Sequence, residues 1–167
     1  MNKQDIYNFL DNRGIWYEVT EHDAVYNMEE LAEIELPYPD NDAKNIFVYD
    51  DKKVNYYLIT TTSKKRVDLK KFRQVYNTRP LRFVTEEDMV SIINLTAGSV
   101  SPFGILNDKE CKINCFIDED FIKIGNIIGI HPNDNTATVW LKVDDLVDII
   151  KEHGNMVQVC EILEKDN

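Results

Sequence analysis

The chain has 167 residues, 43% hydrophobic and 10% aromatic, a composition typical of a folded globular protein that excludes a disordered one. Its net charge of −11 excludes a protein that coats nucleic acid through the phosphates. The polar N-terminal sequence and the lack of an apolar run of roughly 18 residues predict a cytoplasmic protein that binds no membrane. Cys111, Cys115 and Cys160 form no zinc signature with the scattered histidines, so we expect no metal and no cofactor.

The N-terminal part begins with a helix over residues 3–12, which Gly14 ends, and a strand over 15–20. Asn27 is placed to cap a short helix that reaches residue 32, and residues 37–42 have the composition of a loop. A hairpin follows, with β-forming residues at 45–49 and 54–61 around a polar turn.

The second half mixes helices and strands. Asp68 is placed to cap a helix through residue 76, Thr85 a helix to residue 94, and Asp144 a last helix that Gly154 ends. Strands are predicted at 81–84, 112–117, 127–130, 136–141 and 157–163. Without a repeat or a composition shift, this pattern indicates one α/β domain over residues 1–167 with a mixed, curved sheet.

Basic residues are concentrated in one segment of this acidic chain. Eight of the 19 basic residues lie between positions 64 and 82: Lys64, Lys65, Arg66, Lys70, Lys71, Arg73, Arg79 and Arg82. The segment is either a solvated helix face or a small footprint for the end of a nucleic acid.

Lys44 and Asn45 open the hairpin. Because side chains alternate along a strand, Lys44, Ile46 and Val48 share one face, and Asn45 lies on the other. The ammonium of Lys44 either reaches a phosphate or a carbonyl at the rim of an apolar surface, or extends into water.

The sequence GSVSPFG, from Gly98 to Gly104, contains Ser99, Val100, Ser101, Pro102 and Phe103. Glycine permits positive φ and Pro102 holds Ser101 extended, so this loop can direct backbone N–H groups at one ester carbonyl oxygen. A structural turn is the alternative. Covalent catalysis by Ser99 or Ser101 is disfavoured because neither serine has an evident partner base.

His131 precedes Pro132 between two predicted strands, in the sequence GIHPNDNTATV. An imidazole held there can orient a water molecule or contact a ribose, although loop histidines are often only surface residues. Asn133, Asp134 and Asn135 are explained by turn formation alone.

In this order the motifs are similar to those of the YbaK/prolyl-tRNA synthetase-associated editing domain family. Within it, the chain resembles the freestanding alanyl-tRNA(Pro) deacylases. The resemblance covers nearly the whole chain and rests on five segments: Glu21-His22, Lys44-Asn45, Arg66 to Leu69, GSVSPFGILND from Gly98, and GIHPNDNTATV from Gly129. One departure is that Asp42 and Ala43 stand where relatives often have His and Thr.

The resemblance implies a compact fold with a partly barrel-like mixed sheet and hydrolysis of the ester that joins an amino acid to tRNA. It makes Lys44, Gly98 and His131 the expected catalytic residues. The expected substrate-binding residues are Asn45, Ser99, Val100, Ser101, Pro102 and Phe103. We also expect tRNA contacts at Lys64, Lys65, Arg66, Lys70 and Lys71, which the family relationship does not assign.

The expected partners are the acceptor end of aminoacyl-tRNA(Pro) and, transiently, prolyl-tRNA synthetase, but not DNA. The resemblance favours alanine as the amino acid removed. Cysteine or another small amino acid is an alternative substrate, and a non-catalytic tRNA-binding regulatory module is an alternative function.

Overall fold

A computed structural model describes residues 1–24 and 34–166. The predicted short helix at 27–32 lies outside the described residues, as does Val25. Five helices are described: α1 (Lys3–Asn12), α2 (Leu69–Tyr76), α3 (Glu86–Ile93), α4 (Asp120–Lys123) and α5 (Val143–His153). Two short 3₁₀ segments, Ala97–Ser99 and Pro102–Asn107, precede the C-terminal half.

Eight described strands form two sheets. They are β1 (Tyr17–Glu21), β2 (Ala43–Asp50), β3 (Tyr56–Thr62), β4 (Leu81–Phe83), β5 (Ile113–Asp118), β6 (Ile127–Ile130), β7 (Ala137–Lys142) and β8 (Val157–Cys160). A mixed sheet has the order β4-β2-β3-β5-β8, and a small antiparallel sheet has the order β1-β7-β6. The predicted mixed α/β domain is confirmed.

The helix starts follow from local side-chain caps. Asn2 and Asp5 form a reciprocal capping box at α1. The side chain of Asp68 accepts from the N–H of Lys71, and the side chain of Thr85 accepts from the N–H of Asp88, as the sequence predicts. These caps satisfy amide groups that the first turn of a helix leaves unpaired.

The cap of the last helix and the end of the last strand differ from the sequence predictions, and one short helix was not predicted. Asp144 does not cap α5, which begins one residue earlier with no side-chain cap on Lys142. Asp144 instead lies in the first turn, where its carboxylate accepts from Asn126 Nδ2 at 3.2 Å and complements the helix dipole. Helix α4 was not predicted because four residues establish no apolar period, and β8 ends at Cys160 rather than at residue 163.

The mixed sheet separates two hydrophobic clusters. Phe47 and Tyr49 of β2 point into the main core, which lies between the sheets and under α1, α3 and α5. Val48, on the opposite face, packs with Phe72 and Phe116 in a smaller aromatic cluster under α2, where the rings of Phe72 and Phe116 lie 4.9 Å apart. The strand alternation predicted for the hairpin is therefore confirmed.

An isolated bridge joins the two sheets. Asp42, just before β2, bridges Gly129 of β6, and the N–H of Gly129 donates to the carbonyl of Asn41 at 2.9 Å. The strands do not close into a barrel. No helix among the described residues has the length and apolar character needed to cross a membrane.

Residue 129 at this junction is a glycine, and the ring of Trp140 packs in the space where a side chain would lie. The two residues are cross-strand partners in β6 and β7, and Trp140 is fully buried. A Cβ atom at position 129 would overlap the six-membered part of the indole ring. Trp140 is further held by a hydrogen bond from Nε1 to Thr20 Oγ1 of β1 at 2.9 Å.

We predict that Gly129→Ala destabilises the protein by about 1–3 kcal/mol, because the added methyl group overpacks a full core. Urea unfolding measures this change. In a Trp140→Leu background, which removes the indole ring, the same substitution should have a smaller effect. Equal losses in the two backgrounds would contradict the clash.

Candidate active site

The candidate site is built around an interruption in the hydrogen bonding of one edge of β2. Even-numbered residues of this strand bond to β3, as shown by the bond from Ser63 N–H to Asp42 O at 2.9 Å. Because the bonding direction alternates, the odd-numbered residues bond toward the other edge. There the carbonyls of Asn41 and Phe47 accept from Gly129 and Val84.

Between those two bonds, the backbone groups of Asn45 face an opening, whereas Ala43 lies next to the bridge between Asp42 and Gly129. No described strand pairs with this part of the edge, which lies between β4 and β6. The four residue steps from Ala43 to Phe47 span about 13 Å of extended chain, so the opening is long enough for a ligand to approach the strand. A strand edge with unpaired backbone groups is a ready hydrogen-bonding surface.

The predicted Gly98–Gly104 loop is attached beside this opening through Asn45. Asn45 Nδ2 donates to the carbonyl of Val100 at 3.1 Å, and its Oδ1 accepts from Thr60 Oγ1 at 2.7 Å. The structure therefore brings Asn45 and the loop together, as expected. The amide nitrogen of Asn45 therefore holds the loop, and its amide oxygen is held by β3.

Inside the loop, Ser101 caps the second 3₁₀ segment, and its Oγ accepts from the N–H of Phe103 at 3.1 Å. Ser101 is 1% exposed, and its own N–H has no hydrogen-bond acceptor within residues 1–24 and 34–166. Phe103 departs from its predicted substrate-binding role. The turn that Pro102 begins directs its ring into the main core, where it is 0% exposed.

The turn after His131 contacts the other side of this loop. Asn133 Nδ2 donates to the carbonyl of Phe103 at 3.5 Å and to that of Met1 at 3.0 Å. Asn135 lies so close to Gly98 that its Nδ2 would be 3.3 Å from an added Cβ. The loop is thus held between β2 and this turn. Gly98 is exposed, and its lack of a side chain leaves space between the loop and Asn135.

His131 is oriented by a backbone contact at the end of β6. Its Nδ1 lies 2.8 Å from the carbonyl of Ala137, which assigns the proton to Nδ1 and leaves the lone pair on Nε2. Burial lowers the pKa of His131 below its ordinary value. His22 lies edge-on at 6.2 Å between ring centroids, and its Nε2 is 3.2 Å from Thr138 Oγ1.

Lys44 lies on the face of β2 opposite Asn45, together with Ile46 and Val48. Burial lowers the pKa of Lys44; the nearby charge of Arg66 lowers it further, and Glu164 acts in the opposite direction. The half-buried ammonium therefore lies on the Arg66 side of the sheet. Lys44 lies on one face of β2, and the loop is attached through Asn45 on the other face.

Asp42 is one of the two residues that differ from those that relatives often have before Lys44. It is part of the junction between the sheets. It is buried, and the loss of hydration raises the pKa of its carboxyl to about 7. The nearby backbone N–H of Ala43 acts in the opposite direction and lowers this pKa. Its backbone carbonyl accepts from Ser63, so the residue fixes the position at which β2 begins.

The basic segment divides into exposed and engaged residues. The side chain of Lys65 is 8% exposed; its Nζ lies 2.9 Å from Asp118, 3.0 Å from Asp120 and 2.9 Å from the carbonyl of Ile162. Burial alone would lower the pKa of Lys65, but these carboxylates raise it. Lys65 is therefore removed from the expected tRNA contacts. Lys71 is partly engaged with Asp166 at 2.9 Å.

Lys64, Arg66 and Lys70 have exposed side chains. Of the expected tRNA contacts in the basic segment, these three residues remain available to bind a phosphate. Lys64 has only a loose contact, 3.8 Å from Asp40.

Some residues of the site were not found from the sequence. Thr60 pairs with Asn45 across the hairpin, a contact that the strand register would have predicted once the turn length was known. Asn135 was interpreted only as a turn former, and nothing in the local pattern indicates its contact with Gly98. Among residues 1–24 and 34–166, no group of three or more His, Cys, Asp or Glu side chains could hold a metal ion.

Comparison with known proteins places these features in a family. A family model described as an aminoacyl-tRNA editing domain matches residues 22–149. The chain is 35% identical over 160 residues to the prolyl-tRNA editing protein ProX of Acetoanaerobium sticklandii, with 96% of this chain and 97% of that protein covered. It is 27% identical to the prolyl-tRNA synthetase associated domain-containing protein 1 of Mus musculus, with 83% of each covered.

The fold is also that of a crystal structure of a candidate trans-editing enzyme for prolyl-tRNA synthetase. The two chains are 21% identical and superpose with a TM-score of 0.73, which covers 98% of this chain and 97% of the other.

We predict that Lys65→Met destabilises the protein by about 3–5 kcal/mol, because it leaves the buried carboxylate of Asp118 without its cation. Lys64→Met, a change of the same chemistry at the exposed neighbour, should leave the urea midpoint unchanged. Equal midpoints for the two variants would contradict a structural role for Lys65.

The lowered pKa of His131 gives a prediction about stability and pH. Below about pH 6.5 the unfolded chain binds a proton that the folded protein resists, so stability should fall as the pH falls. Urea unfolding between pH 7.5 and 5.5 should show a smaller loss for His131→Gln than for the parent. Parallel curves would show that His131 titrates alike in both states.

Proposed function

The chain belongs to the aminoacyl-tRNA editing domain family, and from this we propose that it hydrolyses mischarged tRNA(Pro), with alanyl-tRNA(Pro) as the preferred substrate. The observation that carries this function is the open edge of β2, with a loop of backbone amides attached to it by Asn45. Such a site offers hydrogen-bond donors at a carbonyl group and access for a chain end, as ester hydrolysis at the end of a tRNA requires.

The ester carbonyl is held by backbone N–H groups between Gly98 and Pro102. Support comes from the buried N–H of Ser101, which lacks an acceptor among the described residues. A donor of this kind stabilises the negative charge that develops on the carbonyl oxygen, and one such donor is worth on the order of 10²–10³ in rate. No serine nucleophile is required in this mechanism.

Lys44 anchors the phosphate of the terminal nucleotide. The sequence leaves a phosphate and the substrate carbonyl as alternatives for its ammonium. Its place on the face of β2 away from Asn45 and the loop favours the phosphate. The neighbouring Arg66, whose charge acts on Lys44, adds to the positive potential on that face.

His131 acts at the other end of the opening. Its Nε2 lone pair, set by the contact of Nδ1 with Ala137, can accept a hydrogen bond from a ribose hydroxyl or from the attacking water. Because burial lowers its pKa, the imidazole favours the neutral form that this role needs.

The reaction is a metal-free hydrolysis. A water oxygen attacks the carbonyl carbon, the bond from that carbon to the ribose oxygen breaks, and the ribose oxygen takes up the proton that the water gives up. An aminoacyl ester has a low intrinsic barrier, so positioning and oxyanion contacts can account for the rate. The ribose hydroxyls of the tRNA assist the water.

Selectivity follows from the size of the space for the amino acid. A space that admits a methyl group and rejects the proline ring excludes the correct product sterically, which is the second step of a double sieve. Cysteinyl-tRNA(Pro) or another small aminoacyl-tRNA is the alternative substrate of the same chemistry. A binding-only regulatory module is the alternative from a different class.

The acceptor end of the tRNA is contacted by few basic residues. Lys64, Arg66 and Lys70 are the exposed candidates, with Lys71 partly engaged in an ion pair. A footprint of this size on a chain of net charge −11 favours brief binding that depends only weakly on salt. Transient contact with prolyl-tRNA synthetase would bring such a protein near newly charged tRNA(Pro).

We predict that the purified protein removes alanine from alanyl-tRNA(Pro) rapidly while prolyl-tRNA(Pro) decays at the buffer rate. Lys44→Ala should lower kcat/KM by at least about tenfold, since it removes a charged contact to the substrate. The exposed Lys52→Ala serves as the matched control and should keep the parent rate.

Cysteinyl-tRNA(Pro) and added EDTA extend the same assay. Faster loss of cysteine than of alanine would favour the alternative substrate, and inhibition by EDTA would contradict the metal-free reaction. If all three esters persist while the tRNA binds, the regulatory module is favoured.

A further inference from the structure

A crevice of about 220 Å³ opens beside the free edge of β2, between the end of β4 and the loop. Its lining is mainly apolar and includes Ile46, Phe83, Met89 and Val100, with Asn45 as a polar residue. Asn45 and Ile46, which are neighbours on β2, both line the crevice, so it lies along the strand edge.

Phe83 stands at the rim of this crevice and is 66% exposed. It is the last residue of β4 and lies directly opposite Val48 on β2, so it shares a face with Lys44 and Ile46. No residue of β4 extends past it, because the chain turns at Val84 toward α3. Much of the phenyl ring is therefore accessible to a ligand.

We propose that this crevice binds the base of the 3′-terminal nucleotide of the tRNA, with Phe83 as the stacking residue. This assignment rests on the proposed function and names the part of the substrate that the site recognises first. A nucleobase has apolar faces and a polar edge. An exposed phenyl ring suits its face, and the backbone groups of Asn45, which have no partner in the part of the chain that the structure describes, suit its edge.

The neighbouring residues fit the rest of the terminal nucleotide. Lys44 is two residues from Ile46 along the same strand face, which places a cation beside the base for the phosphate. Asn45 and Val100 lead from the crevice to the loop that holds the ester. The ribose would then lie across the strand edge, with the base and phosphate on one face and the ester on the other.

The amino-acid side chain is a less suitable occupant of the crevice. A methyl group would fill a small part of its 220 Å³ and would leave the exposed ring of Phe83 largely in water. A planar base covers that ring. The two occupants are distinguished by whether removal of the ring affects recognition of the base or of the amino acid.

The test uses two acceptor-stem RNAs of tRNA(Pro), one ending in adenosine and the other in an abasic ribose. Fluorescence anisotropy gives the Kd of each RNA for the parent, Phe83→Ala, Phe83→Tyr and Val54→Ala. Val54 is the control because it is a similarly exposed apolar residue in the hairpin turn, outside the crevice. Urea midpoints establish that the variants are folded.

The parent should prefer the adenosine-ended RNA by about 5- to 150-fold, the range expected for one base stacked on an aromatic ring. Phe83→Ala should abolish this preference, whereas Phe83→Tyr and Val54→Ala should keep it. A preference that persists in Phe83→Ala, or that is absent in the parent, overturns the assignment.

Alanylated forms of the same RNAs separate this assignment from the proposed function. If the parent shows the base preference but leaves the alanyl ester intact, the hydrolase reading fails and the base site stands. If Phe83→Ala changes the ratio of kcat/KM for alanyl and glycyl esters without changing the base preference, the crevice holds the amino acid and the assignment is overturned.

Discussion

The site depends on a strand whose edge is paired at both ends and unpaired between them. Gly129 of β6 donates to the carbonyl of Asn41, just before β2, and Val84, after β4, donates to that of Phe47. These two backbone hydrogen bonds fix the edge at both ends. Beyond the bridge at Asp42, the residues between them keep an extended backbone with no neighbouring strand on this edge among residues 1–24 and 34–166, because β3 bonds to them from the other side. The fold thus maintains an opening in a rigid sheet and does not depend on a loop alone to form it.

The alternation of side chains along β2 separates two kinds of interaction. Lys44 points to the face under α2, where Arg66 contributes positive charge, while Asn45 points to the main core and holds the loop through Val100. The sequence motif places these two residues side by side, yet their side chains act on opposite faces. The alternation predicted from the sequence places them there, and the register of β2 agrees with it.

Local interactions account for what the sequence predicts well. The caps at Asp68 and Thr85 involve backbone groups three residues away, so they are visible in a short window. The burial of Lys65 depends on carboxylates more than 50 residues later, and the inward turn of Phe103 depends on packing between the sheets. Asp144 has the composition of a cap, but the neighbouring strand β7 runs directly into the helix and leaves the cap position to Lys142. Such non-local partners do not appear in a sequence pattern.

The two-faced strand has an evolutionary consequence. Substitutions at even-numbered positions of β2 alter the surface near Lys44, whereas substitutions at odd-numbered positions alter the packing of the loop. Because most of the two sets of side chains contact different groups on the two faces, changes on one face are expected to couple only weakly with changes on the other, except at the strand edge, where Asn45 and Ile46 line the same crevice. A lineage could therefore adapt to a different amino acid without first giving up its hold on the nucleic acid, and the reverse is equally open to it.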